Sequence, residues 1–354
     1  MVKRVCLASG GTGGHLMPAV LLARALRERG HAPIIVTEGR EPERVLLERF
    51  DGPTSTVPRA GRGLDLPLRL LGATMHARRF LRDEEIDLVV GTGGRATVPM
   101  ALAASSLRLP VALLEQNAVT GRANRMLAPL AKRIYLGLPT RRAPRRALMT
   151  GTPVRDDVGV VERSEARRQL GLRADAPVVL VTGGSQGARV INEVTPAGLT
   201  QLRRPLQVLH LAGAADAERV RLRYAPAEDF GLRALVRSYA FDMATYYAAA
   251  DLVICRGGGS TVAELAAAGR AAIIVPYPWH RDRQQYFNGR VLADAGAAIV
   301  VEQRDFDAQW LSTQVESLLG SERLGEMGRR SGSFLPRDAC ARILEDLRQL
   351  ATLD

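Results

Sequence analysis

The sequence predicts an α/β protein of two doubly wound domains, each a parallel sheet with helices on its faces, the pair facing one another across a cleft. Three observations predict it. Short apolar runs without polar alternation empty into glycine loops that open helices, at four places: Arg4–Ala8 into SGGTGGH, Asp87–Gly91 into TGGR, Val178–Thr182 into GGSQGAR and Asp251–Cys255 into RGGGST. Continuous hydrophobicity marks strands buried on both faces, as in parallel sheets. Two loops fall in each half of the 354 residues, a length suited to two or three domains. Aromatics are sparse while Ala, Val, Leu and Gly abound, which suits helices laid on such sheets. Ligands in this architecture bind at the carboxyl ends of the strands, beside the four loops.

The first loop, Ser9–Gly14, lies between the strand Arg4–Ala8 and a helix over Met17–Arg29; the strand Ala32–Thr37 follows. A dinucleotide fingerprint beginning at Gly11 and Gly13 needs a third glycine where Leu16 stands, although Glu38 would suit an NAD ribose. No Walker sequence occurs. What remains is a glycine-lined pocket, with Gly13 and Gly14, carrying Thr12 and His15 at a helix start. His15 is a candidate base; a lone His is also a common structural residue. The second loop sets Arg95 beside two glycines, either for a second phosphate-bearing ligand or as a bare turn. The strand Val111–Leu114 then ends in Glu115, Gln116 and Asn117, a polar cluster aimed into a cleft or a capped turn before the helix Gly121–Leu127.

Arg141–Pro153 is rich in Arg and Pro, and Asp156–Ser164 is charged and irregular, so a domain boundary is expected near 155–165. The division is residues 1–157, 158–335 and a final segment 336–354. Its helix, Ala339–Leu353, can dock on either domain, a return to the N-terminal one included. Arg155, in the string GTPVR, sits at this hinge, where it can reach a planar base or a charge, and Tyr239–Met243 borders the same pocket. In the third loop Ser185 and Gln186 offer donors to a phosphate at a helix N-terminus. In the fourth, Gly259 precedes Ser260 and Thr261 in N-cap position, and a helix over Val262–Ala268 is closed by Gly269. Glu264, in the first turn, is the carboxylate for a ribose diol. After a strand at Ala272–Pro276, Asp282, Arg283, Gln284 and Gln285 suit a hydroxyl-rich ligand, a sugar. An ordinary βαβ unit with a polar loop has the same local pattern.

The formal charge of +12 is carried by Arg, with only Lys3 and Lys132 as lysines, and favours anionic membrane, nucleic acid or phosphorylated substrates. Cys6, Cys255 and Cys340 are too far apart in sequence for a disulfide framework or a zinc site, which points to reduced cytosol. The five histidines never pair at ligand spacing, and Asp305–Asp307 lies apart from the loops, so no metal is expected. Lys3-Arg4 resembles a signal start, but glycines at 10, 11, 13 and 14 cut the apolar run short. No stretch approaches the ~20 apolar residues of a membrane span. Arg59–Arg82 alternates cations with Leu64, Leu66, Leu68, Leu70, Leu71 and Phe80, either a peripheral membrane contact or a solvated helix over a core.

GGTGGH, EQN, GTPVR, GGSQGAR, CRGG followed by TVAELAAAG, and DRQQY, in this order, resemble the bacterial lipid-I N-acetylglucosaminyltransferases of glycosyltransferase family 28, over nearly the whole chain. The resemblance implies the GT-B fold with the donor in the C-terminal domain. It implies inverting, metal-free and cofactor-free transfer of GlcNAc from UDP-GlcNAc to the C4 hydroxyl of MurNAc in undecaprenyl-pyrophosphoryl-MurNAc-pentapeptide (lipid I), giving lipid II. It assigns Arg155, Ser185, Gln186, Gly259, Ser260, Thr261, Glu264, Gln284 and Gln285 to the donor. Thr12, Gly13, Gly14, Arg95 and Asn117 go to the acceptor, with His15 as first and Glu115 as second catalytic candidate. The implied partners are UDP-GlcNAc, lipid I, the anionic inner-membrane surface, which the Arg59–Arg82 stretch would meet from the cytoplasmic side, and proteins of cell-wall synthesis and division; nucleic acid is not among them. The chain departs from the family at Arg95 (often aromatic), Leu114 (often His) and Thr152 (often Asn), and one extra residue before DRQQY shifts Trp279 and His280. Alternatives are another UDP-sugar transferase, a UDP-GlcNAc 2-epimerase, an NAD-dependent oxidoreductase and a non-catalytic sugar-nucleotide sensor.

Overall fold

The structure, a computed structural model, describes residues 3–11, 13–59, 65–140, 142–184 and 187–350. It divides into two compact units, one running to Val154 and resuming at Pro336, the other Arg155–Leu335. Unit one contains β1 (Arg4–Ala8), α1 (Gly13–Glu28), β2 (Ala32–Thr37), α2 (Glu41–Leu47), β3 (Thr54–Thr56), α3 (Leu66–Asp83), β4 (Leu88–Gly91), α4 (Thr97–Ser106), β5 (Val111–Glu115), α5 (Arg122–Leu127), β6 (Arg133–Leu136) and β7 (Ala147–Met149). Its strands are all parallel in the order β3-β2-β1-β4-β5-β6-β7. Successive side chains point to opposite faces of a strand. In β1, Cys6 and Ala8 therefore join the core with Ala73, Ala77 and Met100, while Val5 and Leu7 join the opposite one with Leu16, Leu22 and Leu26 of α1. Both faces are dry, which is why β1 shows no polar alternation.

Unit two contains α6 (Arg163–Gln169), β8 (Val178–Thr182), α7 (Arg189–Leu199), β9 (Leu206–Leu211), α8 (Ala217–Tyr224), β10 (Leu232–Arg237), α9 (Met243–Ala249), β11 (Leu252–Cys255), α10 (Gly259–Ala268), β12 (Ala271–Ile274), α11 (Gln284–Asp294), β13 (Ala298–Val300), α12 (Ala308–Leu318) and α13 (Glu322–Phe334). The sheet order is β10-β9-β8-β11-β12-β13, again all parallel. The last helix, α14 (Ala339–Leu350), belongs to unit one. Its Ile343, Leu344, Leu347 and Leu350 enter the core under α1. Asp346 accepts from Arg133 Nε and Tyr135 Oη, both at 2.8 Å, tying α14 to β6.

Two local expectations change. α10 begins at Gly259 with Gly258 as its N-cap, so Ser260 and Thr261 lie inside the first turn and Glu264 one turn further on. With no side chain to compete for the backbone, the glycines themselves turn into the helix. Likewise α1 opens at Gly13, four residues earlier than expected, which puts His15 within its first turn. Leu114 is fully buried in the core beneath α1 and α14, facing away from any strand-end site. The Leu114 departure is thus a matter of packing.

Candidate functional site

Each sheet order reverses once, at β8/β11 in unit two and at β1/β4 in unit one, and in both cases glycine loops leave the two central strands. A doubly wound sheet opens its ligand crevice at such a switch point. The sequence supplied the loops; only strand order makes them neighbours in pairs.

In unit two, β11 runs into Arg256, Gly257 and Gly258 and then α10. A Cβ on Gly257 would collide with the Gln285 carbonyl, so the residue must be glycine for α11 to pack here. Asn288 Nδ2 donates to the Gly257 carbonyl at 3.0 Å, holding the same approach from α11. Arg256 is buried and spent on structure: Nη1 donates to Val275 O and Pro276 O, and Nη2 to Gln303 Oε1 at 2.9 Å. The first-turn amides of α10 supply the positive end of the helix dipole. Ser185 and Gln186, on the neighbouring loop after β8, lie outside the described residues.

Glu264 is half-buried and accepts from the hydroxyl of Tyr247 at 3.0 Å. Burial pushes its carboxyl above the ordinary carboxylate range, opposed by the charge of Arg155 and the Tyr247 hydroxyl and reinforced by Asp157. Arg155 donates through Nη1 to the Phe241 carbonyl at 2.5 Å; its Nε and Nη2 are buried without a hydrogen-bond partner, Nε facing the Asp157 carboxylate at 3.8 Å. Buried guanidinium donors left unmade are costly, so this edge beside Glu264 is suited to an incoming acceptor. Burial also raises the Cys255 thiol to about 12, which removes it as a nucleophile. Gln284 and Gln285 open α11; Gln285 Oε1 accepts from Tyr277 N at 2.9 Å, which orients its amide.

Behind the β8 loop lies a network that sequence reading passed over. His210 of β9 is fully buried, with Nε2 3.1 Å from Asn192 Oδ1 and Nδ1 3.0 Å from Tyr224 Oη. Asn192 Nδ2 donates to Ala212 O and to Asp216 Oδ2, both at 2.8 Å, so its Oδ1 must accept from His210 Nε2–H. Burial lowers the His210 pKa to about 3 and keeps the ring neutral. Asn192 thus ties α7 to Ala212, against whose carbonyl Gly187 packs.

In unit one the loops after β1 and β4 are zipped together: Thr92 N donates to Ala8 O at 2.9 Å, and Thr97 Oγ1 to Ala8 O at 3.0 Å. His15 reaches Gln116 at 3.0 Å from Nδ1 to Oε1. Gly93 (φ +106°) lies so near that an added Cβ would stand 2.5 Å from His15 Nδ1. Glu115 is 2 % exposed and saturated: Oε1 accepts from Asn117 N and Nδ2 at 3.1 and 3.0 Å, and Oε2 from Gly121 N and Asn124 Nδ2 at 2.8 and 2.9 Å. With both oxygens doubly occupied, Glu115, the second catalytic candidate, organises the Asn117–Gly121 turn. Gly13 and Gly14 form the first turn of α1, and Arg95 is partly buried just before α4. Thr12 lies outside the described residues. The loop is held by an acid of α2 that sequence reading missed. Glu43, 1 % exposed, accepts from Gly11 N at 2.7 Å and Arg40 N at 2.9 Å. Glu38 pairs with Arg40.

On α3 the core side is Ala73, Ala77 and Leu81, while Leu68, Leu71, Met75, Arg79 and Arg82 share the exposed side at helical spacing, with Leu68 76 % exposed. Of the stretch before it, residues 60–64 lie outside the described residues. Among the described residues no helix is long and apolar enough to cross a membrane, and no three His, Cys, Asp or Glu side chains gather as metal ligands. Asp307 is occupied as the N-cap of α12, accepting from Trp310 N at 2.8 Å.

Residues 5–136 match the glycosyltransferase family 28 N-terminal domain and residues 178–342 the family 28 C-terminal domain. The chain is 38 % identical over 358 residues to the UDP-N-acetylglucosamine--N-acetylmuramyl-(pentapeptide) pyrophosphoryl-undecaprenol N-acetylglucosamine transferase of Actinobacillus pleuropneumoniae serotype 5b, covering 98 % of each. It is 39 % identical to the like-named protein of Chromohalobacter salexigens, covering 97 % of this chain and 96 % of that one. The crystal structure of Acinetobacter baumannii MurG superposes with a TM-score of 0.83 at 31 % identity, covering 99 % of this chain and 100 % of that one.

Proposed function

The chain belongs to glycosyltransferase family 28, and from that premise we propose that it transfers N-acetylglucosamine from UDP-GlcNAc to the C4 hydroxyl of MurNAc in lipid I, forming lipid II. The observation that carries the donor half is Glu264, one turn beyond the glycine-capped start of α10, its carboxyl hydrogen-bonded by Tyr247 and set in the field of the Arg155 charge. In this reading the carboxylate accepts from the ribose diol and Arg155, whose Nη2 has no hydrogen-bond partner, faces the uracil side. Gly259, Ser260 and Thr261, with Ser185 and Gln186, hold the diphosphate, and Gln284 and Gln285 the sugar hydroxyls.

The reaction is a single inverting displacement. The acceptor oxygen bonds to the anomeric carbon as the bond to the UDP oxygen breaks, and UDP leaves with the electron pair. Helix N-termini lower the energy of that developing charge. The acceptor proton goes to His15, and Gly13, Gly14, Thr12, Arg95 and Asn117 line the acceptor side. Glu115 holds Asn117 in place and takes no proton. The exposed side of α3, apolar at Leu68, Leu71 and Met75 and basic at Arg79 and Arg82, meets the anionic cytoplasmic surface of the inner membrane, where a polyprenyl acceptor resides. Proteins of cell-wall synthesis and division are the partners this role implies.

The test is transfer of label from UDP-[14C]GlcNAc to a lipid-I analogue, with and without EDTA; equal transfer in both arms is expected. Label that changes epimer without acceptor would indicate a 2-epimerase instead. Glu264→Gln should weaken UDP-GlcNAc binding about 10- to 100-fold, the worth of a hydrogen bond to a charged group, with the fold intact by circular dichroism. Unchanged binding in calorimetry would dismiss the ribose role.

A further inference from the structure

We propose that Gln116 is a positioning residue for the proton transfer: its amide fixes His15 in the Nδ1–H tautomer and leaves Nε2 as the basic nitrogen. It rests on the reading of His15 as the base given above. Gln116 is 2 % exposed at the end of β5, so its amide must be satisfied by protein. Nε2 lies 2.7 Å from the Thr92 carbonyl. A carbonyl only accepts, so the amide end facing Thr92 is the NH2 and the end facing His15 is the oxygen. An amide oxygen in turn only accepts, so the proton on the His15 ring resides on Nδ1, 3.0 Å away. In a neutral imidazole the other nitrogen then carries the lone pair.

Thr92 holds both partners of this contact. Its carbonyl orients Gln116, its Oγ1 donates to the His15 carbonyl at 3.0 Å, and its own N–H is anchored on Ala8 at the end of β1. Gly93 leaves room for the ring, since a side chain there would overlap it at Nδ1. The ring is thus held from the backbone side by its carbonyl and from the Nδ1 side by an oriented amide. Both belong to the switch point of the unit-one sheet. A base set in the opposite tautomer would present an N–H where it needs a lone pair.

The experiment uses the full chain labelled with 15N-histidine, with His15 signals assigned by their loss in His15→Gln. Long-range 1H–15N spectra at pH 8 should give His15 a protonated-type Nδ1 and an unprotonated-type Nε2; the reverse pattern in the unaltered protein overturns the proposal without any variant. In Gln116→Met the ring should lose this preference and gain Nε2–H, and kcat should fall at least ~10-fold, a part of the roughly 100- to 10,000-fold that general-base catalysis contributes, with donor KM unchanged. A Gln116→Met enzyme that keeps the Nδ1–H pattern, or keeps full kcat, also overturns it. His15→Gln with near-normal turnover would instead remove the base reading itself, whichever tautomer the spectra show.

Discussion

The buried His210 makes a quantitative prediction about unit two. Burial lowers its pKa to about 3 in the folded chain, against the ordinary 6.5 of a histidine in water. Above about pH 6.5 the ring is neutral in both folded and unfolded chains and nothing is lost. Below it the unfolded chain binds a proton that the folded chain refuses, so stability falls as pH drops from 6.5 toward 3. At 1.36 kcal/mol per unit the full window is worth about 5 kcal/mol, of which about 2 kcal/mol is lost between pH 7 and pH 5. Both tryptophans, Trp279 and Trp310, lie in unit two, so urea unfolding followed by tryptophan fluorescence reports this unit. His210→Gln removes the titration while retaining a donor for Asn192 and an acceptor for Tyr224. The difference between wild type and variant cancels every other titrating group, and it should shift by about 2 kcal/mol between the two pH values. A difference that stays constant would refute the reasoning, because a ring that charged freely inside the fold would carry no such linkage.

Two further outcomes follow from surfaces and from the returning helix. Leu68→Ser with Leu71→Ser removes the exposed apolar part of α3 without touching Ala73, Ala77 or Leu81; sedimentation with phosphatidylglycerol vesicles should drop several-fold while turnover on a water-soluble acceptor persists, and undiminished sedimentation would move the membrane contact elsewhere. Asp346→Ala strips the acceptor from Arg133 and from the fully buried Tyr135; with Arg133 partly solvated, the cost is about 2 kcal/mol rather than the larger figure for a fully buried pair, readable as a lower calorimetric Tm.

What could be read from the chain alone was local chemistry. The bounds of β1, β2 and β8 emerge from apolar runs because burial on both faces leaves no polar position to confuse the pattern. Glycine loops announce themselves because no other residue permits such close backbone approach, as Gly257 against Gln285 illustrates. Helix starts were read less well. Ser260 and Thr261 looked like caps, yet Gly258 caps α10, because backbone conformation rather than side-chain type sets the first turn here.

The tertiary structure decided the pairings across long separations. His15 and Gln116 are 101 residues apart, and nothing local in either segment specifies which ring nitrogen faces the amide. Glu115 looked as available as its neighbours until the turn to Asn124 closed around it. Leu114, where the family often has His, is turned by the sheet into the core beside α14. Sequence by itself determined two parallel sheets with glycine loops at their strand ends, since those depend on each segment's own burial and backbone freedom. Strand order, the return of α14, and which polar atoms meet at each switch point depend on contacts between segments far apart in the chain, and only the folded packing sets them.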